Sequence, residues 1–351
     1  MKELGVAVVG LGAMGSQHAR FFKNQVQGAK LVAVVDQVKA VAESVGAELG
    51  AESYTTIDQA VRDERVDVMC LATPTYLHVS QALYALEYGK HVLVEKPMAT
   101  TLAGARQLIS KAKSKHLKLG VDFMERYSDA ATSLKSLIEK GDLGKLFLIE
   151  GELKWWRDEK SYYLKDELAR SWRGMWETEG GGALTNQGIH TVDLMIYFGG
   201  DVQEVFGHIA NFSHPAIPVE DTGVAALKFR EGHLGTLSET VSTKPASAQY
   251  RKIRIMGTAG SAEMTDNKVT FLATETKSEI HLSSTTGETL KQSPNLYIRL
   301  LQDFIDSIIH EREFKVSGEE GAKALEVIKA VYLSSSTGQP VRLPISAEVV
   351  I

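Results

Sequence analysis

The sequence has a single cysteine, Cys70, and it lies in an apolar run. One thiol excludes a disulfide-stabilised scaffold, and a buried structural thiol in a reducing cytoplasm is expected instead. The chain also lacks any apolar stretch of the ~20 residues that a membrane-spanning helix needs. It opens without the charged and apolar regions of a secretory leader. We therefore expect a cytoplasmic protein with no membrane partner.

A basic surface stripe is absent as well. The chain has 39 lysine and arginine residues against 44 aspartate and glutamate residues, a formal net charge of -5, with the two signs interspersed. Binding to a nucleic-acid backbone needs clustered positive charge, so nucleic acid is not an expected partner. The 351 residues exceed the ~100 to 200 of one ordinary core and predict two domains.

Residues 1–122 alternate short apolar runs with amphipathic stretches. The runs 6–9, 31–35 and 92–94 are continuously apolar, which is typical of parallel strands buried on both faces. We predict an α/β chain whose N-terminal domain, residues 1–122, is an NAD(P)-binding Rossmann domain with a doubly wound parallel sheet.

From residue 123 onward the pattern changes to alternation. Apolar and polar side chains alternate in residues 147–155 and again in 234–240, the period of a sheet with one solvated face. Two helices are predicted to close the chain, over 296–309 and about 318–335. We predict that residues 123–351 form an α+β domain with a large, mostly antiparallel open sheet.

A glycine-rich turn follows the first predicted strand. Gly10, Gly12 and Gly15 open a helical pattern, so they allow a tight turn and close approach to a pyrophosphate at the helix N-terminus. The second strand ends in Asp36, where an acidic residue binds the ribose 2'-hydroxyl of NAD. NAD is therefore favoured over NADP, although Lys39 could partly neutralise a 2'-phosphate. The cofactor contacts predicted in this region are Gly10, Gly12, Ala13, Met14, Gly15 and Asp36.

The strand over residues 66–72 is followed by Thr73, Pro74 and His78. They lie at the carboxyl edge of the sheet, where ligands of open α/β sheets bind. We predict that they line the ribose and nicotinamide. For His78 an ordinary role in a strand-to-helix turn is an equal alternative.

Lys96 follows another apolar strand and stands between Glu95 and Pro97. A partly desolvated lysine at the rim of a nucleotide site loses its proton readily and can act as acid or base. Glu95 and Lys96 are predicted to contact the cofactor, and Lys96 is also a catalytic candidate.

A triple glycine at residues 180–182 precedes the second catalytic candidate, His190. Oxidation of a carbinol needs a base for the hydroxyl proton, and histidine exchanges protons near neutral pH. If this stretch is helical, Asn186, His190 and Asp193 lie on one face. Asp193 could then orient the imidazole, face solvent or cap a neighbouring segment. No metal ligands are predicted.

Together these motifs resemble the Gfo/Idh/MocA family, named after glucose-fructose oxidoreductase, inositol dehydrogenase and rhizopine catabolism. The stretches that carry the resemblance are 10–18, 72–78, 89–97, 180–193 and 297–308. The resemblance implies an NAD(P)-dependent oxidoreductase of sugars or cyclitols whose C-terminal sheet binds the substrate and joins subunits into dimers or tetramers. It also implies that Lys96 contacts the substrate and the nicotinamide ribose, with His190 as its partner across the cleft.

Asn186 departs from the family pattern, because many members carry aspartate there. An amide cannot exchange a proton at neutral pH, so Asn186 is expected only to hydrogen-bond the sugar. The base is then His190 or Lys96, and Lys96 could alternatively hold the oxygen and stabilise its developing charge.

Aromatic and arginine residues lie before the triple glycine. Their rings can stack on a sugar or a uracil, and Arg157 or Arg173 can clamp a carboxylate or phosphate. Plain packing is the alternative for each tryptophan. The predicted substrate-binding residues are Asn186, Asp193, Arg157, Trp172 and Arg173.

The combined prediction is an NAD-dependent dehydrogenase that oxidises a secondary hydroxyl of a sugar, sugar derivative or cyclitol. Similarity of the runs 171–176 and 186–190 to members that act on nucleotide-linked or uronic sugars makes these candidate substrates. An NADP-dependent keto-sugar reductase, an enzyme that recycles tightly held NAD, and a dinucleotide-binding regulator without turnover are the alternatives. Lys96 and His190 argue against the regulator, since a sensor needs no proton-transfer groups.

Overall fold

The computed structural model describes residues 3–274, 277–280 and 295–346, and it contains two compact units. The first unit comprises the described residues up to 124 together with 295–322. The second comprises the described residues from 125 to 280 together with 323–346. Within these ranges, no helix combines the length and apolarity needed to cross a membrane.

Strands and helices alternate in the first unit, and strands predominate in the second. The strands are β1 (Leu4–Val9), β2 (Ala29–Val35), β3 (Glu52–Tyr54), β4 (Val68–Leu71), β5 (His91–Val94), β6 (Leu119–Val121), β7 (Leu146–Lys154), β8 (Val202–Ala210), β9 (Thr222–Phe229), β10 (Leu234–Thr240), β11 (Tyr250–Gly257), β12 (Gly260–Thr265), β13 (Lys268–Thr274), β14 (Lys277–Ile280) and β15 (Val341–Arg342). The α-helices are α1 (Ala13–Asn24), α2 (Lys39–Leu49), α3 (Ile57–Arg62), α4 (Thr75–Glu87), α5 (Leu102–Ser114), α6 (Asp129–Glu139), α7 (Glu167–Trp172), α8 (Ile189–Gly199), α9 (Leu296–Ile309) and α10 (Gly318–Thr337). Shorter helical turns are the 3-10 segments Met124–Tyr127 and Ala246–Ala248 and the π-helical segments Glu159–Tyr163 and Leu184–Gly188.

The first unit is built on six parallel strands in the order β3-β2-β1-β4-β5-β6. The chain winds outward from β1 to β3 and then returns to β4 on the other side of β1, so the strand order reverses between β1 and β4. Val8, Cys70 and Leu93 are at most 2% exposed, as expected for strands covered on both faces. Burial raises the pKa of the Cys70 thiol, which therefore stays protonated. The predicted doubly wound sheet is confirmed.

Residues 295–322 pack in the first unit. Helix α9 has the predicted bounds and buries Leu300, Leu301 and Phe304 completely. A Cβ added at Gly120 of β6 would lie 2.9 Å from the Phe304 ring, so the strand and the helix are in close contact. The sequence analysis assigned this segment to the second domain. The structure differs because the apolar face of α9 completes the core of the first unit.

The second unit contains a sheet of nine strands in the order β14-β13-β12-β11-β7-β10-β9-β8-β15. Within the described part of this sheet, only β10 and β7 pair in parallel; the other neighbouring strands are antiparallel. The inner face of the sheet buries Ile149, Leu237 and Ile253, while Val224 and Leu234 on the outer face are exposed. The predicted, mostly antiparallel open sheet is confirmed.

Helix α8 covers the inner face of this sheet. A Cβ added at Gly151 of β7 would lie 2.4 Å from the sulfur of Met195 and 2.9 Å from the methyl group of Thr191. Glycine at this position therefore lets α8 approach the sheet closely. This contact fixes the helix whose first turn contains His190.

Candidate functional site

The glycine-rich turn joins β1 to α1. Gly10 has a φ of +85°, a conformation that L side chains rarely adopt, and a Cβ there would overlap Thr73 and Ala72. A Cβ at Gly15 would lie 1.7 Å from the carbonyl oxygen of Gly10, so α1 leaves the turn closely packed against it. At Gly12, by contrast, a Cβ would meet nothing within 4 Å. The start of α1 therefore has open space beside it.

The first turn of α1, which contains Ala13 and Met14, has no acidic residue and no side-chain cap. Its first backbone amides and the positive end of the helix dipole are thus available to an anion. The side chain of Met14 approaches α9, where its sulfur lies 4.0 Å from the hydroxyl of Tyr297. This turn fits a pyrophosphate bound through backbone amides.

Asp36 follows β2, and both of its carboxylate oxygens accept backbone hydrogen bonds. Oδ2 accepts from the Leu11 amide at 2.9 Å and Oδ1 from the Val38 amide at 2.9 Å. These contacts hold the carboxylate beside the glycine turn, and each oxygen has a second lone pair for a ribose hydroxyl. The geometry fits the cofactor role predicted for Asp36.

His78 lies in the first turn of α4 and is 1% exposed. Its Nδ1 is 2.9 Å from the Pro97 carbonyl oxygen and its Nε2 is 2.8 Å from that of Thr73. Burial lowers the pKa of His78, so the ring is neutral and donates to one of these oxygens at a time. The ring joins the loop after β4, which includes Pro74, to the loop after β5. This geometry favours the turn-stabilising alternative for His78.

A buried charged cluster lies at the carboxyl ends of β5 and β6. His18 Nε2 is 3.1 Å from Glu95 Oε1 and 3.2 Å from Asp122 Oδ2. Burial alone would lower the pKa of His18, but hydrogen bonds and charges from Asp122 and Glu95 raise it to about 10. Burial and the Glu95 charge raise the pKa of Asp122. The distances are those of an ion-paired group of one imidazole and two carboxyl groups.

Lys96 follows Glu95 at the same sheet edge. Its backbone amide donates to Glu95 Oε2 at 3.2 Å, and its peptide bond to Pro97 is cis. Burial opposes ionisation of Glu95, but the hydrogen bond and charge of His18 lower the pKa of that carboxyl. Glu95 therefore remains ionised beside Lys96. Its contacts are with protein groups of the first unit, which adds a structural role to the cofactor role predicted for it.

In the second unit, the backbone at the end of the triple glycine binds the carboxyl group of Glu220. That group accepts hydrogen bonds from the amides of Gly182 at 2.8 Å and Leu184 at 3.0 Å and from the Tyr332 hydroxyl at 2.8 Å. A Cβ at Gly182 would lie 1.8 Å from the Glu220 carbonyl oxygen. Burial raises the pKa of Glu220 to about 7 despite the donors. Glycine is required here because the backbone approaches Glu220 too closely for a side chain.

Asn186 lies in the π-helical turn Leu184–Gly188. Its Nδ2 donates to the buried carboxylate of Glu179, while its Oδ1 accepts from the Tyr162 hydroxyl at 3.2 Å and from Gln187 Nε2 at 2.6 Å. The other Glu179 oxygen accepts from the Gly174 amide at 2.5 Å. An amide can accept from Tyr162 and donate to Glu179 at once, which a carboxylate cannot do. The network thus explains an asparagine here in physical terms.

His190 is the second residue of α8 and is 5% exposed. Asp193, one turn later, forms a two-pronged ion pair with Arg126, whose Nε lies 2.9 Å from Oδ2 and whose Nη2 lies 2.7 Å from Oδ1. Both partners are buried, at 1% and 3% exposure. The sequence analysis grouped Asp193 with the substrate residues. The structure instead gives it a structural contact, because a buried carboxylate is stabilised by a paired cation.

Arg157, Trp172 and Arg173 come together around Tyr162. The guanidinium carbons of Arg157 and Arg173 lie 5.2 and 4.4 Å from the centroid of the Tyr162 ring. Arg173 also lies 4.7 Å from the Trp172 ring. Since Tyr162 donates to Asn186, four of the five predicted substrate residues belong to one connected group of side chains.

Glu239 is a fully buried acid on the inner face of β10. A Cβ at Gly188 would lie 1.6 Å from its Oε2, so the carboxyl group presses against the π-helical turn. Neither carboxyl oxygen has a hydrogen-bond partner among the described residues. Burial raises the pKa of Glu239 to about 8, against the opposing charges of Arg251 and Lys154. The group is therefore mostly protonated at neutral pH.

The sequence analysis assigned no site role to several polar residues that organise these regions. They are His18, Asp122, Tyr162, Glu179, Glu220, Glu239 and Tyr332. Their partners lie far away in sequence, so local spacing carries no signal for most of them. Glu239 is an exception, because alternation along β10 places it on the same face as the buried Gly235 and Leu237.

The fold and the nucleotide turn define the class as an NAD-binding oxidoreductase with a Rossmann domain. Residues 4–123 match the family model described as the NAD-binding Rossmann fold of an oxidoreductase family, and residues 135–343 match that of its C-terminal alpha/beta domain. The chain belongs to this Gfo/Idh/MocA oxidoreductase family, which confirms the resemblance.

Named relatives are similar over most of the chain. The scyllo-inositol 2-dehydrogenase (NAD(+)) of Bacillus subtilis is 27% identical, with 97% of this chain and 96% of the relative covered. The 1,5-anhydro-D-fructose reductase of Ensifer adhaerens is 29% identical, with 82% and 83% covered. The WlbA dehydrogenase of Bordetella pertussis, solved with NADH and UDP-GlcNAcA, is 26% identical with a TM-score of 0.86, and the match covers 98% of this chain and all 100% of that one. The prediction of NAD as the cofactor is thus confirmed.

Proposed function

We propose that this chain is an NAD-dependent dehydrogenase that oxidises a secondary hydroxyl of a sugar, sugar derivative or cyclitol, with Lys96 and His190 in proton transfer. The observation that carries the proposal is the position of Lys96. It follows β5 at the sheet edge where the glycine turn and Asp36 also lie. Similarity to a scyllo-inositol 2-dehydrogenase supports this reaction class.

The first unit supplies the proposed cofactor contacts. The backbone of the Gly10–Gly15 turn would hold the pyrophosphate, and Asp36 would accept from the adenosine ribose. Thr73 and Pro74 would line the nicotinamide side. When bound, NAD supplies the acceptor for the hydride of the carbinol carbon.

Proton transfer falls to two side chains in the proposal. His190 takes the proton of the substrate hydroxyl as general base, and Lys96 holds the same oxygen and stabilises its developing negative charge. Asn186 binds a neighbouring sugar hydroxyl, because its amide cannot exchange a proton. Lys96 as the base is the alternative assignment within this mechanism.

Reduction of a keto-sugar is the second candidate. The similarity to a 1,5-anhydro-D-fructose reductase favours testing the reduction of keto-sugars with both NADPH and NADH. The same experiments should test whether the purified chain retains NAD between turnovers. The UDP-GlcNAcA bound by the WlbA dehydrogenase makes a nucleotide-linked uronic sugar a substrate to include. A regulator without turnover is disfavoured by the two proton-transfer groups.

The deciding experiment measures NADH formation by the full chain with NAD and a panel of inositols, free sugars and nucleotide-linked sugars. Lys96→Met and His190→Asn should each lower turnover by ~10²- to 10⁴-fold and leave the dissociation constant of NAD within a few-fold. Lys140→Met and His116→Asn, which change exposed side chains away from the proposed site and from the outer face of the second sheet, are the matched controls. Near-normal turnover in either site variant would remove that residue from the mechanism.

A further inference from the structure

Two arginines in the second unit lie close to one tyrosine ring. The guanidinium carbons of Arg157 and Arg173 lie 5.2 and 4.4 Å from the centroid of Tyr162. Each arginine also lies over a tryptophan, Arg157 at 4.6 Å from the Trp155 ring and Arg173 at 4.7 Å from the Trp172 ring. The aromatic faces therefore hold both cations in place.

Neither of these two cations has a carboxylate partner within the described residues. Arg157 Nη1 donates to the Trp156 carbonyl oxygen at 3.3 Å, and its buried Nε has no hydrogen-bond partner there. Arg173 contacts rings and forms no ion pair in the described part of the chain. By contrast, the nearby Arg126 and Arg251 are paired with Asp193 and Glu125. Two uncompensated like charges beside one ring repel each other unless an anion joins them.

The pair is connected to the motif that contains His190. The hydroxyl of Tyr162, the ring that both cations approach, donates to Asn186 Oδ1 at 3.2 Å. Asn186 belongs to the π-helical turn that leads directly into α8. An anion held by Arg157 and Arg173 would thus sit close to the side chain proposed to bind the sugar.

We propose that Arg157 and Arg173 form a subsite for an oxyanion of the substrate, so that the substrate is an acidic sugar. The guanidinium fork matches the paired oxygens of a carboxylate or a phosphate, which share this chemistry. The group can be the carboxylate of a sugar acid or the phosphate of a phosphorylated or nucleotide-linked sugar. This inference rests on the proposed function, whose substrate class it narrows.

Calorimetric binding to the full chain, in the presence of NADH, tests the subsite with four probes. D-glucose carries no oxyanion, D-glucuronate carries a carboxylate, UDP-glucose carries phosphates, and UDP-glucuronate carries both. The unmodified chain should bind at least one charged probe about 10- to 100-fold more tightly than D-glucose, because a charge-assisted hydrogen bond contributes about 1.5 to 3 kcal/mol. Tighter binding of D-glucuronate identifies the carboxylate, and tighter binding of UDP-glucose identifies the phosphate.

Arg157→Gln and Arg173→Gln should each remove most of this preference, measured as the ratio of the dissociation constants of D-glucose and the charged probe. Arg230→Gln, which changes an exposed guanidinium of the same unit, is the control and should keep the preference. If a glutamine variant fails to fold, the corresponding lysine variant should retain the charge but lose the two-pronged contact, with a smaller loss of affinity.

Equal affinity for all four probes, no measurable binding of a charged probe, or an undiminished preference in both variants would overturn the subsite. Measuring turnover distinguishes a failure of the proposed subsite from a failure of the proposed dehydrogenase function. NADH formation from neutral sugars without charge discrimination would refute only the subsite. Charge-selective binding that depends on the two arginines, without hydride transfer to or from any probe, would refute only the dehydrogenase.

Discussion

At the residue scale, Asn186 shows how one side chain sets the chemistry of its neighbours. Its amide accepts from Tyr162 and donates to Glu179, a carboxylate that is 1% exposed. A carboxylate at this position would face a second carboxylate without a proton between them. Glu179 thus favours an asparagine at position 186, both because the amide can donate a hydrogen bond and because it carries no negative charge.

We therefore expect Asn186→Asp to lower the free energy of unfolding by ~1 to 3 kcal/mol at neutral pH, because two touching carboxylates must share one proton. The loss should grow as the pH rises from about 5 to about 8, where that proton is removed. Urea unfolding at several pH values measures both effects.

The double variant Asn186→Asp with Glu179→Gln is the control for this prediction. The new amide can donate to the new carboxylate, so much of the lost stability should return. The coupling would be contradicted if the stability loss of the double variant equalled the sum of the losses of the two single variants. A stability loss of Asn186→Asp that does not depend on pH would contradict it as well.

Individual site residues differ in how far the sequence predicts them. The roles of Gly10 and Gly15 follow from backbone sterics, which a turn motif encodes locally. Those of His78 and Asp193 do not, because their partners, Pro97 and Arg126, lie elsewhere in the chain. Nothing in the local pattern distinguishes a ligand-facing side chain from one that joins two loops.

At the element scale, β10 and the π-helical turn press together at Glu239. The protonated form of this buried group is favoured in the folded state, where burial raises its pKa to about 8. Its folded pKa thus lies above the unfolded value of ~4.3. The stabilisation is fully present below the unfolded pKa and is lost as the pH rises through the folded pKa.

We expect the free energy of unfolding of Glu239→Gln to become less sensitive to pH than that of the unmodified chain. Between about pH 5 and 8 the difference between the two should change by up to ~1.4 kcal/mol per pH unit, the effect of one proton. The variant should be relatively more stable at the alkaline end. Denaturant unfolding across this range measures the difference.

Glu150→Gln, on the opposite face of the sheet in β7, provides the matched comparison and should leave the pH dependence unchanged. Parallel curves for the unmodified chain and Glu239→Gln would mean that the Glu239 carboxyl is already ionised in the folded protein or is solvated there.

The whole molecule exposes apolar side chains on the outer face of the second sheet. Phe206 of β8, Val224 of β9 and Leu234 of β10 are 38, 46 and 55% exposed. Phe206 and Leu234 lie on either side of the strand that contains Val224. We propose that a second copy of the chain covers this face, as the homodimer or homotetramer expected from the sequence.

We expect Phe206→Glu and Val224→Glu, singly or together, to shift the chain to smaller assemblies in analytical ultracentrifugation. A charge in an apolar interface would have to be desolvated without a partner. Phe212→Glu, an equally apolar side chain that is 74% exposed outside the strands, should leave the assembly unchanged. A monomeric unmodified chain, or variants with unchanged mass, would contradict this interface.

The sequence by itself determined the two kinds of sheet and the nucleotide turn. Burial and backbone sterics act on neighbouring residues. They therefore leave local sequence patterns, which are continuous apolar strands, alternating strands and glycines at positive φ. Only the tertiary structure decided that α9 packs in the first unit and that Asp193 pairs with Arg126. It also decided that Arg157 and Arg173 approach one ring with no carboxylate partner in the described part of the chain. These features depend on residues that are distant in sequence and meet only when the core closes, so no local pattern records them.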